Sequence, residues 1–163
     1  MTSEHLLHTI PPIYDGNSKI LILGSFPSVK SREVSFYYGH PQNRFWRVLA
    51  AVLGCAVPSS NEEKTALLQS HNIALWDVIK SCDIVGSSDS SIKNVVPNDI
   101  GVILSSCGIR QIYSNGKTSE KLFNKYIKDT VGRDTVALPS TSPANASYNL
   151  ERLTDSWSVI KNN

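Results

Sequence analysis

Apolar positions along the chain change period several times, and each change predicts an element. Lys19 to Leu23 (KILIL) is a short, nearly continuous apolar run that stops at Gly24. That suits a strand buried on both faces, as in a parallel sheet. Phe45, Val48, Leu49, Val52 and Leu53 then recur at i, i+3, i+4, i+7 and i+8, one face of a helix that Gly54 would end. Ser60 followed by Glu63 fits a capping box opening a helix through Leu67 and Leu68. Ile73 to Trp76 (IALW) reads as a second buried strand. The Ser-rich, Asp-containing stretch Ser81 to Asn94 reads as a loop.

Asp99 to Cys107 predicts a helix ended by Gly108, and Ile109 to Ser114 a third strand. Thr118 to Lys128 is amphipathic and helical, with Leu122, Phe123, Tyr126 and Ile127 on its apolar face. Thr135 to Leu138 (TVAL) is the fourth strand, followed by the Pro/Ser-rich turn Pro139 to Asn145. Leu150, Leu153, Trp157 and Ile160 mark a last helix. Four apolar strands alternating with helices predict an α/β fold, a parallel sheet covered on both faces. Ligands of such sheets bind beyond the carboxyl ends of the strands. That rule singles out Gly24–Ser28, Asp77, Ser114–Lys117 and Pro139–Asn145.

Composition narrows the class. At 163 residues, 40% hydrophobic and 18% charged, the chain reads as one globular domain spanning residues 1–163. A net charge of +2 neither identifies nor excludes a nucleic-acid partner, because a local basic face matters more than the total. The three cysteines, Cys55, Cys82 and Cys107, are widely spaced and odd in number, which argues for reduced thiols and against a disulfide framework or a four-thiolate metal site. No stretch reaches the roughly 18 apolar residues of a membrane span, and the N-terminus lacks a signal-peptide pattern. A soluble, intracellular protein is expected, cytoplasmic or nucleoid-associated and not secreted.

Several chemistries fail on spacing. Asn115-Gly116-Lys117-Thr118 resembles the end of a phosphate-cradling loop, but the first glycine it requires would fall at Gln111. His5, His8, His40 and His71 lack the spacing of a metal-binding helix, so no metal is expected. Ser25 has no second glycine to form a hydrolase elbow. What remains is a crowded segment, Tyr37 to Trp46, in a chain only 8% aromatic. Taken locally, Phe45 and Trp46 read as core. Asn43 reads as a helix cap or a functional amide, and Tyr38 as surface packing or a stacking platform.

Taken together, GSFPS after the first strand, YYGHPQNRFW, LWDVIKSC, and LPSTSPAN after the last strand resemble the uracil-DNA glycosylase superfamily. The branch most similar is that of the hypoxanthine-DNA (deoxyinosine) glycosylases, often called family 6. The resemblance covers most of the chain. It implies a three-layer α/β/α sandwich around a four-stranded parallel sheet. It also implies a monofunctional enzyme that excises hypoxanthine from DNA by base flipping and hydrolysis of the N-glycosidic bond, without a cofactor. One departure stands out. The mismatch-specific branch carries an Asn just before the proline of the first motif, where this chain has Phe26.

By position, the resemblance makes Asn43 the catalytic amide. It puts Gly24, Ser25, Phe26, Tyr38 and Asp77 around the base, with Tyr38 stacking on it and Asp77 reading its edge. Pro27, Ser28, Arg44, Lys117, Ser140, Ser142, Pro143, Ala144 and Asn145 would meet the DNA, although Arg44 and Lys117 also read as solvated surface charges. The implied partner is DNA containing deoxyinosine, acted on by a monomer whose abasic product passes to downstream repair enzymes. Two other functions remain open from the residues: a uracil or mismatch glycosylase, and a non-catalytic damaged-DNA binder on the same fold.

Overall fold

The computed structural model describes residues 2–162. Four strands form a parallel sheet: β2 (Ile20–Gly24), β3 (Ile73–Asp77), β6 (Gln111–Asn115) and β7 (Thr135–Leu138), in the order β3-β2-β6-β7. A second, antiparallel sheet packs beside it in the order β1-β4-β5, from β1 (Glu4–Leu7), β4 (Ile79–Ile84) and β5 (Lys93–Pro97). The helices are α1 (Val29–Val34), α2 (Phe45–Leu53), α3 (Asn61–Ser70), α4 (Gly101–Ser106), α5 (Lys117–Tyr126), α6 (Lys128–Val131) and α7 (Leu150–Trp157). Among the described residues no helix is long and apolar enough to cross a membrane.

The unbroken apolar character of β2 has a direct cause. Ile20 and Ile22 point into one core with Phe45, Leu49 and Val52 of α2, Leu68 of α3 and Leu153 and Trp157 of α7. Leu21 and Leu23 point into the other, with Ile103 of α4, Phe123 of α5 and Ile79, Cys82 and Ile84 of β4. All four are 4% exposed or less, so neither face of the strand could carry a polar residue without a partner. The chain order of the sheet puts the crossovers after β2 and after β6 on opposite sides. The crevice between their carboxyl ends is therefore the switch point where α/β sheets bind ligands.

The helix signals hold locally. Gly54 closes α2 at φ +70°, and its N–H donates to Ala50 O. The Ser60 hydroxyl accepts from the Glu63 N–H at 3.0 Å, capping α3. The predicted helix from Asp99 shortens to Gly101–Ser106, the third strand runs Gln111–Asn115, and Ile160 lies in a 3-10 segment, Ser158–Asn162, beyond α7.

The stretch Ser81–Asn94, expected as a loop, is corrected. Most of β4, a 3-10 turn (Asp89–Ser91) and the start of β5 occupy it. Its serines and aspartates masked a strand whose partner is distant: Leu6 pairs with Cys82 and Glu4 with Ile84. Register shifts along β4 against β5 also break the alternation that a strand would show.

Phe45 ties the first functional segment to the core. It is fully buried, stacks on Tyr38 at 4.1 Å between ring centroids, and meets Trp46 and Trp157 edge to face at 4.8 and 5.8 Å. Phe45→Ala is expected to lower stability by about 3–5 kcal/mol, read as the shift in a urea unfolding midpoint.

Candidate functional site

A cavity of about 350 Å³ opens at the carboxyl ends of the parallel strands. Gly24 to Ser28 line it from the end of β2, Asp77 from β3, Asn115 from β6, and Ser140 to Ala144 from beyond β7. Tyr37, Tyr38, His40 and Asn43 form another wall, and Ser87 and Asp89 reach it from the β4–β5 connection. Of the residues singled out from sequence, Gly24, Ser25, Phe26, Pro27, Ser28, Tyr38, Asn43, Asp77, Ser140, Ser142, Pro143 and Ala144 converge on this cavity. Arg44, Lys117 and Asn145 do not line it.

Gly24 and Asp77 are register partners on adjacent parallel strands. A Cβ on Gly24 would lie 2.4 Å from Asp77 Oδ1 and 2.9 Å from the Tyr38 hydroxyl, so only glycine lets these groups meet at the strand end. The other oxygen, Asp77 Oδ2, is 2.7 Å from His8 Nε2, and the two side chains are 5% and 2% exposed. His8 follows β1, where its N–H donates to Lys80 O at 2.7 Å, and its ring packs edge-on against Phe26. One carboxylate oxygen is thus anchored, and the other is turned toward Gly24 and Tyr38.

Asn43 does two jobs. Its Oδ1 accepts from the Phe45 N–H at 2.9 Å, which caps α2, and from the Thr141 hydroxyl at 2.9 Å. An amide nitrogen cannot accept from a backbone N–H, so the cap fixes the orientation of the amide. Its NH₂ group is left to donate, with no protein acceptor among the described residues. Thr141 is itself fully buried and held from β6: Asn115 Nδ2 donates to its hydroxyl at 3.0 Å, and its N–H donates to Asn115 Oδ1 at 3.0 Å. A continuous chain of hydrogen bonds therefore runs from the end of β6 through the loop after β7 to Asn43.

Tyr38 sits at φ +53°, in the left-handed region that a bulky residue rarely adopts. One face of its ring is covered by Phe45, so only the other is left to meet a ligand. Its hydroxyl is buried without a well-formed hydrogen bond. Burial, then the nearby Asp77 charge, push its pKa far above the ordinary tyrosine value, while the Asn115 side chain works against them. It therefore stays a neutral phenol.

Two of the expected DNA contacts, Arg44 and Asn145, also have structural work. The Arg44 guanidinium donates to the carbonyls of Ser142 at 2.9 Å, Asn145 at 3.1 Å and Tyr148, and so gathers the loop after β7. Asn145 bonds back to Ser140 O at 3.0 Å. Together they shape the loop that carries Thr141. Lys117 is exposed at the first turn of α5, outside the cavity, with no ion pair among the described residues.

Sequence reasoning missed His8 and Asp89 as members of the site, and reached Asn115 and Thr141 only through the strand-end rule. His8 and Asp77 are 69 positions apart, so no local spacing could link them. Among the described residues no three His, Cys, Asp or Glu side chains gather as a metal site would require.

The family model for the uracil DNA glycosylase superfamily matches residues 11–161. The chain belongs to this superfamily. Among curated members, it is 36% identical over 137 residues to a hypoxanthine DNA glycosylase of Methanosarcina barkeri, covering 83% of this chain and 85% of that one. A second, from Methanosarcina acetivorans, is 34% identical over 152 residues, covering 92% and 94%. The fold matches the solution NMR structure of a candidate uracil DNA glycosylase from Methanosarcina acetivorans, with a TM-score of 0.79 at 33% identity over 93% of each chain. Within this glycosylase fold, the expected four-stranded parallel sheet with helices around it is present.

The buried His8–Asp77 pair gives the site a direct test. Whichever partner carries the proton, losing His8 leaves a buried carboxyl without its hydrogen bond. His8→Ala is expected to cost about 3–5 kcal/mol of stability, measured by urea denaturation against the unaltered chain.

Proposed function

We propose that this protein is a monofunctional hypoxanthine DNA glycosylase. It flips deaminated adenine out of DNA and hydrolyses its N-glycosidic bond, initiating base excision repair. Support comes from the curated relatives bearing that name and from one observation above all: Asp77, anchored through one oxygen by His8, turns the other toward the cavity end of Gly24. Hypoxanthine carries a ring N1–H, which a carboxylate oxygen accepts. Adenine has a lone pair at the same position, which a carboxylate repels. A mismatched buried polar contact discriminates far more strongly than a lost methylene.

A base within the duplex is out of reach of such a cavity, so it must be extruded, at a cost of a few kcal/mol that is least for a poorly paired base. The free face of Tyr38 replaces part of the lost stacking, worth about 1–3 kcal/mol. Backbone N–H groups of the Gly24–Phe26 turn serve the base carbonyl. As the glycosidic bond lengthens, positive charge builds on the sugar ring and negative charge on the base. The Asn43 NH₂ group, held by its cap and by Thr141, donates to the departing base. Phe26 supplies no polar group where the mismatch-specific branch has an Asn, so Asn43 provides the amide of the site, to orient the water or to stabilise the departing base. No lysine lines the cavity among the described residues, in keeping with hydrolysis and no strand cleavage.

The loop after β7, with Ser140, Ser142, Pro143 and Ala144 at the cavity edge, presses on the DNA backbone together with Pro27 and Ser28. Exposed Lys117 adds a phosphate contact. The protein acts as a monomer inside the cell, on nucleoid DNA, and hands its abasic product to downstream repair enzymes.

Duplexes containing inosine, uracil, xanthine or no lesion, incubated with the protein and then treated with alkali, test the proposal. Cleavage at inosine is expected; binding without any abasic product would favour a damaged-DNA binder, and product from uracil alone a uracil glycosylase. Asn43→Ala should lower single-turnover excision by about 10²–10³-fold, with binding retained. Asp77→Asn, compared on inosine and adenine duplexes, should reduce discrimination between them. Unchanged selectivity would remove Asp77 from base recognition.

A further inference from the structure

Hydrolysis also needs a group that takes a proton from the attacking water, and Asn43, Phe26 and Asp77 do not provide one; His40, on the cavity wall, spends its Nδ1 lone pair on the Gln42 N–H at 3.1 Å, which puts the ring hydrogen on Nε2. Asn43 offers only its NH₂ group, Phe26 is apolar, and Asp77 has one oxygen held by His8 and the other given to the base. We propose that Asp89 activates the water, an inference that rests on the glycosylase reading above.

Asp89 lines the same cavity but comes from a different part of the chain, the connection between β4 and β5. That connection is built as a rigid arm. The Ser91 hydroxyl accepts from the Val85 N–H at 2.8 Å and donates to Ser88 O at 2.6 Å, closing the turn on itself. The arm is fastened over α1: the Val29 N–H donates to Ser87 Oγ at 2.9 Å, and Arg32 Nη2 to Gly86 O at 3.0 Å. At its tip, Ser25 Oγ donates to Asp89 Oδ1 at 3.3 Å. The carboxylate is thereby set against the Gly24–Ser28 turn, in the first-motif region where Phe26 leaves no polar side chain.

No cation pairs with Asp89 among the described residues. Hydroxyls of Ser25 and Thr118 face it, and Asp77 is the charge whose field reaches it. Although the residue as a whole is exposed, the partial burial of its carboxyl raises its pKa, with Asp77 adding to the rise and the two hydroxyls opposing it. A carboxylate raised in this way is a stronger base than one free in water.

The step balances with water as the sole co-reactant. A lone pair of the water oxygen forms the bond to C1′, and the C1′–N9 pair leaves with the base. The water proton passes to the Asp89 carboxylate and from there to solvent, while the released base takes up a proton from solvent. The same negative charge favours the developing oxocarbenium ion.

Asp89→Asn separates this role from anchoring the arm, because an asparagine Oδ1 still accepts from Ser25 while the base is gone. The comparison uses single-turnover release of whichever base the unaltered protein excises, together with duplex binding and thermal unfolding. Expected is a loss of at least about 100-fold in rate for both Asp89→Asn and Asp89→Ala, with binding and unfolding temperature unchanged. Asp89→Asn within about threefold of the unaltered rate would overturn the proposal. An active Asp89→Asn beside an inactive Asp89→Ala would overturn it too, leaving Asp89 as an anchor only. Release of uracil but not hypoxanthine would sink the hypoxanthine reading and leave the Asp89 comparison intact. Release of no base by the unaltered protein would sink both.

Discussion

The site hangs on a contact between three residues that no short stretch of sequence contains: His8, Asp77 and Gly24. A carboxyl only 3% exposed needs a partner, because leaving water without one is costly. His8 supplies it at 2.7 Å, from just beyond β1, 69 positions away in the chain. The antiparallel sheet then acquires a purpose. Pairing of β1 with β4 carries the segment after Leu7 alongside Lys80, three residues past Asp77, and that places the imidazole under the end of β3. A second sheet that looks like an ornament on the parallel core is the frame that fixes the orientation of one carboxylate. Gly24 completes the contact by having no side chain where Asp77 Oδ1 lies.

What was legible in the sequence follows from the range of the interactions. β2 could be read because both its faces are buried, so its five residues carry the whole signal themselves. Likewise, α2 and α3 announce their limits through neighbours: Gly54 at one end, the Ser60–Glu63 box at the other. β4 could not be read. Its Lys80 and Asp83 are polar, its alternation is broken by bulges, and its burial depends on a partner more than seventy residues away. The site divides in the same way. Motif positions after β2, before α2 and after β7 fall on one cavity, while His8 and Asp89 arrive through the unread sheet and its connection.

Capping and function at Asn43 looked like rival readings, and the structure makes them compatible. The oxygen is occupied by the cap and by Thr141, and this double hold turns the NH₂ group into a donor of fixed direction. A preorganised donor does not have to be reoriented as charge develops on the leaving base, which is where such groups gain their effect. Arg44, next in sequence, serves the same end from inside: by gathering the carbonyls of Ser142, Asn145 and Tyr148 it holds the loop that presents Thr141. On the proposed function, the segment from Asn43 to Phe45 is one donor and the parts that hold it still.

Two carboxylates share one cavity, close enough that the Asp77 charge raises the Asp89 pKa, yet the structure gives them opposite settings. Asp77 is buried, fixed by a ring nitrogen at hydrogen-bond distance and directed at the strand end, which suits recognition of a neutral base edge. Asp89 is on the cavity rim, held only by hydroxyls and open to solvent, which suits exchange of a proton with water. The difference comes from the elements that carry them, a central parallel strand for one and a surface connection for the other. Among the described residues neither carboxylate is paired with a lysine or arginine. A cavity lined by two carboxylates is a poor place for a phosphate, which under the proposed function leaves the DNA backbone at the loops around the mouth and lets the extruded base alone enter.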